Sequence, residues 1–164
     1  MKDDSTGTQG PADFDFLMGK WRVTNRRLRQ RFVRSEDWDV FTAESTCRRF
    51  LDGVANVEEI AMPSRGFSGL TLRLFDVEQQ HWSIYWINSH TGKLFPPVHG
   101  RFDGDRGEFF GDDVDDGKPV KVRFVWIKGT PGSSPRAPRW EQAFSADSGK
   151  SWETNWIMEF EAIP

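Results

Sequence analysis

Cysteine is almost missing from this chain, with only Cys47 among 164 residues. A single thiol excludes an internal disulfide and fits a reducing compartment, so the expected location is cytoplasmic. In its strand-like context Cys47 reads as a small buried side chain rather than a reactive one. Long apolar runs are missing too. Nothing approaches the roughly 18 consecutive apolar residues of a membrane span, so no membrane partner is expected. No segment sustains a helical period, which excludes a helical bundle. The opening stretch, Met1 to Pro11, has no apolar centre and is acidic, unlike a secretory signal. Residues 1–12 are therefore expected to form a disordered tail ahead of one domain, 13–164.

Metal and cofactor chemistry finds little support. The histidines, His81, His90 and His99, do not fall at zinc spacings. The acidic run from Asp103 to Asp116 fails as a calcium loop: counted from Asp112, the third position is Val114, and no Glu follows at the right distance. Nucleophile elbows and phosphate-cradling glycine loops are missing. No metal and no cofactor are expected. The net charge of −3 gives no global bias toward nucleic acid. Arg26, Arg27, Arg29, Arg31 and Arg34 crowd one segment. They read as a solvated strand face, with Arg27 the exception. It shares parity with Trp21 and Asn25 and is expected to point inward near a barrel mouth.

What is abundant is tryptophan: eight residues, at positions 21, 38, 82, 86, 126, 140, 152 and 156. They lie along short segments of alternating polarity, the period of a half-buried strand. An apolar turn, Asp13 to Met18, ends at Gly19. Strands are expected at Lys20–Phe32, Trp38–Leu51, Val54–Met62, Phe67–Phe75 and His81–Asn88. Further strands are expected at Val98–Phe102, Gly107–Gly111, Val120–Ile127, Trp140–Phe144 and Trp152–Phe160. Asp52-Gly53, Asp103-Gly104 and Asp116-Gly117 are turn signals between them. Gly129 to Pro138 reads as a mobile loop. About nine or ten antiparallel strands with short links point to an all-β fold. An up-and-down barrel removes the edges that an open sheet of this width would expose.

Two short motifs stand out. Ser145 to Trp152 matches the Asp-box pattern of sialidase-like propellers. Propellers need several copies and one is present, so it reads as a hairpin in which Asp147 binds turn amides and Trp152 packs beneath. Gly19-Lys20-Trp21, after Phe14-Asp15-Phe16-Leu17, resembles the Gly-X-Trp opening of the lipocalin and wider calycin superfamily. With Trp152-Glu153-Thr154-Asn155-Trp156 near the end, residues 13 to 161 look like a bacterial calycin-like barrel family of unknown function. The resemblance implies a barrel floor closed by Trp21 under a short N-terminal helical turn. Haem ligation by a late-strand histidine, seen in nitrobindin-like relatives, is not implied, because no histidine follows His99.

Strand parity offers two barrel linings. The apolar set contains Leu70, Leu72, Leu74, Trp82, Ile84, Trp86, Val122, Phe124, Trp126, Trp140, Phe144, Trp156, Met158 and Phe160. Its polar members are Asn25, Asn88, Gln142 and Thr154. The opposite set contains Thr71, Arg73, Tyr85, Arg123, Glu141, Glu153 and Asn155. Burying unpaired charge is costly, so the apolar set is expected inside. Ligand contacts are then expected from Asn25, Trp82, Trp86, Asn88, Trp126, Trp140, Gln142 and Trp156. Arg73, Arg123 and Asn155 are the alternatives of opposite parity. The expected function is binding of a hydrophobic, aromatic small molecule. The alternatives are an isomerase or cyclase using Tyr85, His99 and Glu141 as catalytic groups, or a structural domain with a filled core. A homodimer could cover outward aromatics.

Overall fold

The computed structural model describes residues 10–129 and 137–164. The tail expected at 1–12 lies outside them up to residue 9, and the expected mobile loop lies outside them from 130 to 136. Ten strands follow in order: β1 (Gly19–Leu28), β2 (Trp38–Phe50), β3 (Ala55–Met62), β4 (Phe67–Asp76), β5 (His81–Asn88), β6 (Val98–Asp103), β7 (Arg106–Asp115), β8 (Lys118–Ile127), β9 (Arg139–Ser145) and β10 (Glu153–Ala162). Each pairs antiparallel with its sequence neighbour, and β1 pairs with β10, so the sheet closes into an up-and-down barrel. Closure gives every strand a partner on each side. This is the architecture that the calycin resemblance implies.

One end of the barrel is plugged. Before β1, a single 3₁₀ turn, Asp15–Leu17, tucks Phe14 and Leu17 into the floor. Gly19 makes the corner at φ +114°, a conformation that L side chains rarely adopt. Two residues on, the Trp21 indole N–H donates to the Leu17 carbonyl at 2.8 Å and fastens the plug to the strand that follows. The Trp82 indole N–H donates to Asp13 Oδ2 at 3.0 Å from the far wall. Phe14 sits edge-on to Trp82, Phe102 and Trp126 at 4.9, 5.0 and 6.1 Å between centroids. Edge-to-face contacts of this kind add to the burial they accompany. The floor is thus a dense aromatic stopper.

The other end is a mouth. β1 stops at Leu28 rather than Phe32, because the Arg29 N–H donates to the Asp37 carbonyl and closes a loop there. Phe32 and Arg34 take positive φ within it. Arg29, Arg31 and Arg34 therefore leave the strand face expected for them. Arg31 reaches Asp115 at the end of β7, and the Phe32 N–H donates to Glu153 Oε1 at the start of β10. The loop consequently lies over one side of the mouth. β7 runs on to Asp115, beyond the expected Gly111, because its acidic half pairs with Lys118 to Val122.

Parity is where expectation and structure part. On β4, Thr71, Arg73 and Phe75 are buried inside, whereas Leu70, Leu72 and Leu74 are half-buried on the outer face. Inward charge is costly only where it lacks a partner. Arg73 has partners from the neighbouring strand, and the objection disappears. On β5, β8, β9 and β10 the expected aromatic parity holds, with Trp82, Ile84, Val122, Trp126, Trp140, Phe144, Met158 and Phe160 in the core cluster. One bulge, between Thr154 and Trp156, lets β10 recover that parity after Glu153.

Candidate functional site

Above the plug the barrel leaves a well. Its upper wall is Trp86, Phe95, Pro96, Asp112 and Asp113; its middle is Ile60, Thr71, Ile84, Val98, Val122, Phe124, Gln142, Trp156 and Met158; its base is Glu58, Arg73, Trp126, Trp140 and Phe160. The well has a volume of about 90 Å³, several times what one buried water requires. Counting its mouth and the crevices between wall side chains, the atom-free space is about 820 Å³. A single ring matches the first figure. A fused ring system needs the walls to give way.

The walls hold one another in place. Trp140 meets Phe124 and Trp156 edge-on at 5.0 and 5.8 Å. The Trp156 indole N–H donates to Asn25 Oδ1 at 2.9 Å, and Gln142 Nε2 donates to Asn155 Oδ1 at 2.9 Å. Trp86 lies across Gly69 on the neighbouring strand β4, where a Cβ would come within 1.8 Å of the indole. Only glycine allows that ring to lie flat against the wall.

The base is charged. Asn56, Glu58 and Arg73 are 2%, 4% and 2% exposed. In the β3–β4 register Asn56 stands directly opposite Arg73, with Glu58 on the diagonal. Arg73 Nη2 donates to Glu58 Oε2 at 2.5 Å and Nη1 to Asn56 Oδ1 at 2.9 Å. The guanidinium also lies over the rings of Phe14 and Trp126, at 5.0 and 5.3 Å to the centroids. A paired, ring-stacked arginine is a form in which buried charge is tolerated. Among the described residues, Arg73 Nε, Asn25 Nδ2 and Asn155 Nδ2 have no acceptor. Below the pair, Cys47 is 2% exposed, and burial pushes its thiol up to about 11. It is an inert strand residue, as its context implied.

Of the expected ligand contacts, Trp86, Trp126, Trp140, Gln142 and Trp156 line the well, and Arg73 joins them from the opposite parity. Three others serve the scaffold. Trp82 belongs to the floor and Asn25 holds Trp156, while Asn88 Oδ1 accepts from His90 and Thr91 in the turn after β5. Asn155 is buried in the bulge beside Gln142. Arg123 is a correction: it faces outward, its guanidinium 4.8 Å from the Trp152 ring centroid.

The catalytic candidates are corrected as well. Tyr85 shares the outward parity of Ser83 on β5. His99 is exposed and bonds Ser83 Oγ through Nδ1 at 2.9 Å. Glu141 pairs with Arg139 on the outer face at 2.7 Å. None of the three reaches the well. The carboxylate at its base is Glu58, which the sequence reading missed; its signal was a glutamate sharing parity with Asn56, Ile60 and Met62 and lying within cross-strand reach of an arginine.

Asp147 behaves as a turn residue. Its carboxylate accepts from the Ser151 hydroxyl and amide and from Ser145 Oγ, which holds it down at about 2. Among the described residues no three His, Cys, Asp or Glu side chains converge as a metal site, and no helix is long and apolar enough to cross a membrane. Compared with known proteins, the chain matches no family model and no curated protein.

Proposed function

We propose that this barrel binds a small, flat, largely apolar molecule in the tryptophan-walled well. The carrying observation is a well lined by Trp86, Trp126, Trp140 and Trp156 and closed below by the Arg73–Glu58 pair. Apolar walls with a few convergent polar groups are the usual makeup of a small-molecule pocket. Aromatic walls favour a ring, and Thr71, Gln142 and the buried ion pair suit a polar substituent at its inner end. The volume argues for one ring, with larger ligands requiring Trp86 and Phe95 to swing aside. A well of this kind counts against a purely structural, filled barrel. Kinship with bacterial calycins, and with lipocalin-like carriers among them, is part of the same proposal. It is supported by the closed barrel, the plug and Gly19-Lys20-Trp21. The single buried thiol supports a cytoplasmic location.

Native mass spectrometry of protein purified from its host is the direct test. A small molecule of defined mass should travel with the barrel. With a probe, benzyl alcohol should perturb tryptophan fluorescence in the parent protein. Trp86→Ala should weaken that binding strongly, and Phe110→Ala, on the outer face, should leave it unchanged. Equal losses would overturn the assignment of the well.

One observation favours a second reading, an isomerase or cyclase working inside the well. Glu58 sets a carboxylate against Arg73 at its base, an arrangement able to move a proton on a held substrate. Once a bound molecule is identified, Glu58→Gln separates the two readings. A binding protein keeps its ligand unaltered, whereas an enzyme retains binding and loses turnover.

A further inference from the structure

Arg27 is the one inward-facing guanidinium at the mouth whose edge is unoccupied among the described residues. It points in from β1, its carbon 5.1 Å from the Trp156 ring centroid, 5.6 Å from Phe41 and 5.8 Å from Phe67. Burial against these rings lowers its pKa, opposed by the nearby Asp39 carboxylate. Stacking uses the faces of a guanidinium and leaves the in-plane N–H donors free. No hydrogen bond or ion pair uses them among the described residues.

The neighbouring carboxylates are already engaged. Asp39 stands directly opposite Arg27 in the β1–β2 register, yet both its oxygens accept from Arg65, and Arg29 also reaches it. Asp115 is held by Arg31. Across the mouth, Asp112 is paired with Lys121, while among the described residues the Asp113 carboxylate accepts only from the neighbouring Val114 amide. The rim therefore has a cationic side at β1–β2 and an anionic side at β7. Trp156, which Arg27 touches on that cationic side, is a wall of the well.

From this geometry we infer that Arg27 is an anion-recognition residue. It takes the carboxylate, or an equivalent oxyanion, of a ligand whose ring occupies the well. The planar donors of Arg27 offer a carboxylate two parallel hydrogen bonds, and such charge-assisted pairs are among the stronger polar contacts. The inference rests on the binding function proposed above and adds its ligand class: an aromatic acid rather than a neutral ring.

Three probes test it: benzoate, benzyl alcohol and acetate. Each is titrated into the parent protein, Arg27→Gln and Arg27→Lys, with tryptophan fluorescence and the arginine Nε–H resonances as readouts. Benzoate should bind more tightly than benzyl alcohol and should shift the Arg27 resonance, as acetate should more weakly. Arg27→Gln should weaken benzoate by about tenfold or more and leave benzyl alcohol unchanged, a size typical of losing a charged hydrogen bond. Arg27→Lys should fall between, since it keeps the charge without the fork. If both ring probes bind alike and Arg27→Gln changes neither, the anion site is overturned and the well stands. If acetate shifts Arg27 but no ring probe binds, the anion site stands and the well is overturned. If no probe binds the parent protein, both fall.

Discussion

The two ends of this barrel use the same residue types to opposite effect. At the floor, Phe14, Leu17, Trp82, Phe102 and Phe109 interlock until nothing larger than 3% exposure remains on any of them. Toward the mouth, Trp86 and Trp156 are only partly buried, and their rings border open space. Both ends are rich in aromatics; what differs is the plug. A short turn from outside the sheet fills the floor, and among the described residues no element enters the barrel from the mouth. A wide aromatic barrel is not automatically a container. It becomes one where the chain omits to fill it.

The largest expected effects come from breaking the floor. Phe14→Ala should cost about 3–5 kcal/mol of stability, read as a drop in the urea midpoint, because a large ring leaves a fixed aromatic cage. Its counterpart at the rim, Phe95→Ala, should cost far less and should alter probe binding instead. Equal costs would erase the distinction between stopper and well. Arg73→Met belongs in the same class, at about 3–5 kcal/mol, since Glu58 would be left buried without its partner. Adding Glu58→Leu should recover most of that loss while abolishing any polar preference among ligands. A double variant as unstable as the single one would mean that Asn56 and the packing around it dominate, not the pair.

An intermediate effect is expected at Gly69. Gly69→Ala should cost about 1–3 kcal/mol, the range for overpacking, and should drive the Trp86 indole off the wall into the well. Probe affinity and the Trp86 indole N–H resonance should change together.

How much of this was legible beforehand divides along physical lines. Turn chemistry placed the strands well: Asp103-Gly104 and Asp116-Gly117 sit in hairpins that close at Asp103–Arg106 and Asp115–Lys118. β5 runs over the residues expected of it. Parity on the tryptophan-bearing strands was legible because a bulky ring outside a closed sheet would be exposed on every side. β4 was not legible, since its two faces offered Leu70, Leu72 and Leu74 against Thr71, Arg73 and Phe75. Only the register with β3, which brings Asn56 and Glu58 to Arg73, decides between them. Tyr85, His99 and Glu141 failed for a related reason. They were chosen for their chemistry, and on β5, β6 and β9 the alternation sends them outward.

The smallest effect lies at the Asp147 turn and serves as a control far from both ends. Its carboxylate is held below the ordinary range, at about 2. Its contribution is therefore present above about pH 4 and disappears as the pH falls through about 2. The stability gap between the parent protein and Asp147→Asn should close over that interval, while probe binding at neutral pH stays the same. A gap that persists below pH 2 would mean that the turn is held by something other than this carboxylate.

Cys47 gives the floor a practical use. The thiol is alone in the chain and buried, and burial pushes it up to about 11. At 2% exposure, it is out of reach of an alkylating reagent until the barrel opens around it. The labelling rate of the unmodified protein therefore clocks how often the barrel opens from below, with no engineered reporter, and a molecule seated in the well should slow that clock.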